Sequence, residues 1–176
     1  MRLYCDAFVF RTFRIRMKID TAAQEDYAEL LEVWEASVRA THHFLAERDL
    51  LELRPLLLDQ YFPAVDLTVV RANTGEAVGF CGVCKDNIEM LFVAPEHRGQ
   101  GIGTMLALHA IAEKGATKVD VNEQNRQALG FYERLGFCVA GRSPLDGQGK
   151  PYPILHLVLE GSSIAEADAT ALFATP

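Results

Sequence analysis

The sequence predicts a single mixed α/β domain, a sheet of about seven strands with helices packed on both faces. Three observations carry this. Strand-like runs separated by short turn clusters fill residues 67–93 and read as an antiparallel meander. From Pro95 onward, helix-like and strand-like segments alternate in a βαβα manner. Finally, 176 residues of which 49% are apolar suffice to bury a core without disulfides or metals.

The elements follow in order. Phe13, Ile15, Met17 and Ile19 alternate with Arg14, Arg16 and Lys18, the period of a half-buried strand. Met1 to Thr12 precede that alternation and are expected to form a disordered extension. Thr21-Ala22-Ala23-Gln24 has capping-box form, and Tyr27, Leu30, Leu31, Trp34 and Val38 follow at helical spacing, which predicts a helix over Thr21 to Ala40. A second helical stretch spans Ala46 to Tyr61, where Pro55 either kinks it or begins a new segment. Strands are predicted at Leu67–Arg71, Ala77–Lys85 and Ile88–Val93. Helix Gly103–Lys114, strand Lys118–Val121, helix Asn125–Leu135, strand Phe137–Gly141 and strand Pro153–Glu160 complete the domain, expected at 13–160. Residues 161–176, rich in Ala, Ser and Thr, read as a tail.

Charge and cysteine content narrow the function classes. Seventeen basic against twenty-four acidic side chains leave a net charge of -7, which disfavours nucleic acid and anionic membrane as partners. No apolar run approaches the ~18 residues of a membrane helix. Four cysteines in a chain of this size fit a reduced cytoplasmic setting. Cys81 and Cys84 form a CxxC, but inside a predicted strand they face opposite sides, which suits neither a dithiol nor a metal site; no metal is expected.

Two motifs point to chemistry. Arg98-Gly99-Gln100-Gly101-Ile102-Gly103-Thr104 lies between a strand and a helix, where glycines let backbone amides crowd an anion at the positive end of the helix. It matches neither GxGxxG nor the P-loop ending. Asn125-Arg126-Gln127-Ala128-Leu129-Gly130-Phe131-Tyr132 follows, with Asn125 and Tyr132 seven apart on one helix face.

Strand Met90–Val93, then Pro95, then RGQGIG, then NxxAxxFYxxxGF resembles the GNAT superfamily of acetyl-CoA-dependent N-acetyltransferases over Ile15 to Glu160. Ala40 to Leu45, Val121 to Asn125 and Gly149 to Pro153 are similar to its small bacterial YjaB-like branch. The resemblance implies acetyl-CoA as cosubstrate, bound through its pyrophosphate by amides of Arg98 to Thr104. It also implies that the backbone of Leu91 and Val93 pairs with the pantetheine arm, at a V-shaped splay between the fourth and fifth strands. Asn125 then contacts the cofactor, and Tyr132 is the general acid beside its sulfur. The implied reaction is direct acetyl transfer in a ternary complex to a primary amine, a protein lysine or a small molecule.

The base is left open between His42, Glu89 and an ordered water chain, with His43 beside His42 as a further candidate. Tyr152 lines the acceptor site or simply belongs to a turn before the last strand. A catalytically silent acyl-CoA-binding regulatory module is the alternative function, and the chain is expected to be a monomer or homodimer.

Overall fold

The structure, a computed structural model, describes residues 17–161; the expected N-terminal extension and C-terminal tail lie outside the described residues. Within them the sheet has seven strands in the order β1-β2-β3-β4-β5-β7-β6. Strands β1 (Lys18–Thr21), β2 (Asp66–Arg71), β3 (Ala77–Cys84) and β4 (Asn87–Val93) form the antiparallel meander. The single parallel pairing joins β4 to β5 (Lys118–Asn122), and β6 (Phe137–Ser143) and β7 (Ile154–Leu159) complete the second half antiparallel.

Helices cover both faces. Helix α1 (Tyr27–Thr41) and α2 (Glu47–Leu56) pack Leu30, Trp34 and Leu50 against Val69, Phe80 and Met90. Helix α3 (Ile102–Lys114) and α4 (Arg126–Arg134) pack Ile102, Leu106 and Tyr132 against Val78, Ile88 and Val119. Alternation along β2 and β4 divides their side chains between these two cores, as a sheet buried on both faces requires.

Two boundaries differ from the sequence prediction. Thr21 does not cap α1; it pairs with Thr68 at the end of β1, and the chain enters the helix through a 3-10 turn at Gln24–Asp26. There the Asp26 carboxylate accepts from the Ala23 amide at 2.9 Å, so the helix entry lies two residues beyond the predicted cap. Pro55 does not start a new segment. The helix runs through it and widens into a π turn at Leu57–Tyr61, closed by the Phe62 amide donating to the Leu57 carbonyl at 2.9 Å.

Candidate active site

The site begins where the sheet stops being continuous. β4 pairs with β5 only at Asn87 with Lys118 and Ile88 with Val119. On its other edge the register against β3 shifts between Gly82 and Val83, so that Glu89 is the unmatched residue of a bulge. A bulge bends its strand, and here it turns β4 away from β5 while β3 still holds β4 as far as Val93. The β4 edge beyond Ile88, including Leu91 and Val93, therefore faces a cleft of about 560 Å³ instead of a neighbouring strand.

The glycine loop closes one end of this cleft. Pro95–His97 form a 3-10 turn, and Gly101, at φ +85°, is the left-handed residue from which α3 starts. The first-turn amides of α3 have no intrahelical acceptors and lie at the positive end of its dipole. A Cβ on Gly99 or Gly101 would meet no atom within 4 Å, so both backbones border open space. On Gly103 it would lie 3.6 Å from the Phe131 ring and 3.8 Å from Leu91, against the lip of the cleft.

The side chains of the loop behave unequally. The Arg98 amide donates to the Pro95 carbonyl at 3.3 Å, and the Arg98 guanidinium turns toward α1, donating to the Ser37 hydroxyl at 2.9 Å. Burial lowers the pKa of that guanidinium. Gln100 bonds the Glu96 carbonyl through its side chain, whereas Gly99, Gly101, Ile102, Gly103 and Thr104 line the cleft.

Helix α4 forms the opposite wall. Asn125 is its N-cap, its side-chain carbonyl accepting from the Ala128 amide at 3.1 Å. Two turns later Tyr132 is only 6% exposed, its ring set edge-on to Phe131 and Phe137 at 4.9 and 5.6 Å between centroids. Both residues line the cleft, as their seven-residue spacing predicts. The Tyr132 hydroxyl has no hydrogen-bond partner among the described residues and is not sealed from the cleft. Burial, and secondarily the nearby Cys81 thiol, hold its pKa well above the ordinary tyrosine value. Cys81 is itself buried and pushed up to about 12, so it stays a neutral thiol in the core. It and Cys84, at the end of β3, are both free.

The candidate bases separate clearly. His42, just past α1, lines the cleft, whereas His43 beside it is exposed and does not. Burial first and the Arg98 charge second lower the His42 pKa to about 4, against an opposing effect of the Val38 carbonyl. Its ring stacks obliquely near Phe44 and Phe92. Glu89, on the bulge, also faces the cleft and accepts from the Asn87 amide at 2.9 Å. Withdrawal from water is the main cause that raises its pKa, and the neighbouring Asp120 adds to it.

Two clusters were not visible in the sequence. Asp120 on β5 bonds His156 Nδ1 at 2.7 Å, and His156 Nε2 lies 2.8 Å from the Ser143 hydroxyl, so three adjacent strands hold one carboxylate at the cleft. Tyr152 does not line the cleft. It donates to Asp49 and accepts from the Ala46 amide, while Lys150 Nζ bonds Asp49 at 2.8 Å and Glu52 at 2.6 Å. These bonds clamp the β6–β7 loop onto α2, and Lys150 first and Tyr152 second lower the Asp49 pKa.

Residues 63–139 match the family described as the acetyltransferase (GNAT) domain. A curated relative, the peptidyl-lysine N-acetyltransferase YjaB of Salmonella typhimurium, is 42% identical over 142 residues, covering 81% of this chain and 97% of that protein. The solution structure of apo-form YjaB from Escherichia coli superposes with a TM-score of 0.75 at 38% identity, covering 83% of this chain and 99% of that one. A PaiA N-acetyltransferase from Thermoplasma acidophilum, solved in complex with coenzyme A, shares the fold at a TM-score of 0.61 and 22% identity, covering 80% and 97% of the two chains. No helix among the described residues is long and apolar enough to cross a membrane.

Proposed function

This chain belongs to the GNAT acetyltransferase family, and from that premise we propose that it transfers the acetyl group of acetyl-CoA to the side-chain amine of a peptide lysine. The observation that carries the reading is the half-open sheet. An amide-bearing arm can add to the unpaired edge of β4 as an extra strand, and Tyr132 lines the same cleft. The lysine acceptor rests on the YjaB relative, an enzyme named for peptidyl-lysine acetylation.

The residues present fit the cofactor. Amides from Gly99 to Thr104 at the α3 N-terminus suit the two charges of a pyrophosphate, and the glycines leave room for it to approach backbone directly. Leu91 and Val93 offer main-chain groups to the pantetheine amides, and Asn125, whose side-chain nitrogen takes no part in the capping bond, lines the same cleft. Bound there, acetyl-CoA supplies an activated acetyl group as a thioester. Tyr132 donates its hydroxyl proton toward the sulfur as negative charge grows on it; with its pKa raised, the phenol remains protonated throughout the working range.

His42 serves as the base. Held neutral by its lowered pKa, its ring keeps a lone pair available at neutral pH, where the acceptor arrives as an ammonium. Glu89 and Asp120 place negative charge at the same cleft and attract that cation, with Glu89 the alternative proton acceptor.

Replacing His42 by Gln is expected to lower kcat by ~10-fold or more, or to raise the acceptor KM, while the acetyl-CoA KM changes by less than about twofold. Steady-state thiol release with a lysine peptide measures both. Full activity in His42→Gln together with a large loss in Glu89→Gln assigns the proton to Glu89. Because the folded pKa of His42 lies near 4 and below its unfolded value, His42 should contribute no acidic limb to the wild-type pH profile between pH 6.5 and 5, where an ordinary imidazole would already titrate.

A further inference from the structure

The loop that holds the cofactor and the residue read as the base lie on one chain of hydrogen bonds. Arg98 donates through a single guanidinium nitrogen to both the carbonyl of Ser37, at 3.1 Å, and its hydroxyl, at 2.9 Å. One turn later the Thr41 hydroxyl donates to the same Ser37 carbonyl at 2.8 Å. Thr41 Oγ1 is also 2.9 Å from His42 Nδ1.

These contacts decide where the imidazole proton sits. A carbonyl only accepts, and a hydroxyl has one proton to give. The Thr41 proton is committed to Ser37, so the contact with His42 can be a hydrogen bond only if Nδ1 carries hydrogen and donates to the Thr41 oxygen. The neutral ring then bears its lone pair on Nε2. By distance Nε2 bonds no described residue, is not sealed from water, and belongs to a ring that lines the cleft, while the Val38 carbonyl beside the ring, like the Thr41 oxygen, favours a ring nitrogen that carries hydrogen. Phe44 and Phe92, with ring centroids 5.2 and 6.5 Å away, confine the ring plane.

We propose that Thr41 is a positioning residue that holds His42 in the Nδ1–H tautomer with Nε2 open to the acceptor, and that the Arg98–Ser37 contact anchors this arrangement to the cofactor loop. Its kinetic consequence rests on the reading of His42 as the base; the tautomer assignment does not.

The test uses the full chain with 15N-labelled histidine and long-range proton–nitrogen spectra at neutral pH, His42 being assigned by the signals lost in His42→Gln. The wild-type spectrum should show a protonated Nδ1 and an unprotonated Nε2. Thr41→Val keeps the shape and removes the acceptor; it should move the ring toward the Nε2–H form and lower kcat by ~10-fold, with the acetyl-CoA KM within about twofold of wild type. Thr41→Ser restores the hydroxyl and should restore both readouts. A wild-type ring already protonated on Nε2 would overturn the proposal without any variant, and so would an unchanged tautomer in folded Thr41→Val. A shifted tautomer with unchanged kcat would uphold the positioning role and overturn His42 as the base.

Discussion

Tyr132→Phe is expected to lower kcat by ~10- to 1000-fold, with acetyl-CoA affinity and thermal stability close to wild type. The substitution removes one oxygen and nothing else from the site. The ring's edge-on contacts with Phe131 and Phe137 are made by carbon, and phenylalanine keeps them. The hydroxyl has no protein partner among the described residues, so its loss strands no donor or acceptor in the core. What disappears is the hydroxyl proton that Tyr132 presents to the cleft. Burial keeps that proton in place by raising the phenol's pKa, which also means that Tyr132 should not contribute a basic limb to the pH profile near neutrality. Saturating acetyl-CoA with a thiol-release readout, alongside a thermal melt, checks this; a wild-type kcat would move the proton donor elsewhere.

A second large effect is expected at the glycine loop. In a Gly101→Ala, Gly103→Val double variant, CoA affinity should fall by ~100-fold or more, about 2.7 kcal/mol, while the far-UV spectrum remains that of the folded protein. The two positions act differently. Gly101 is left-handed, so alanine there costs roughly 1–2 kcal/mol of backbone strain and puts a methyl group into the open space ahead of α3. Gly103 has helical backbone with ordinary contact distances for a Cβ, and valine's methyls extend beyond it toward Phe131 and Leu91 at the lip of the cleft. Calorimetric titration with CoA measures the loss. Undiminished affinity in the folded variant would place the pyrophosphate somewhere other than this loop.

The parts of this architecture that sequence reasoning reached are those encoded locally. Strand β3 and helices α3 and α4 follow from period and punctuation, and Asn125 and Tyr132 share a wall because seven residues make nearly two turns. Thr21 misled because a capping sequence describes one possible helix entry, while pairing with Thr68, forty-odd residues later, uses the same residue as the end of a strand. The shared wall of Asn125 and Tyr132 was therefore readable, and which histidine reaches the cleft was not. His42 is set apart from His43 by burial and by contacts with Arg98 and Phe92, which come from distant segments, and no spacing within Ala40 to Leu45 distinguishes the two. Asp120, Ser143 and His156 are joined across three strands by register, and Tyr152 found Asp49 across the β6–β7 loop instead of the cleft. Thr41 alone offered a local hint: a hydroxyl four residues after Ser37 and adjacent to a histidine can bond both.

The most direct measurement of the central claim is mass spectrometry of lysine peptides incubated with the full chain and acetyl-CoA, with thiol release followed in the same tubes. The account predicts one acetyl group on a lysine side-chain nitrogen for each CoA thiol released, at a rate well above the enzyme-free reaction and sharply reduced in Tyr132→Phe. CoA bound by the folded protein with no acetylation of any peptide or amine above background would contradict it and favour a silent acyl-CoA-binding module.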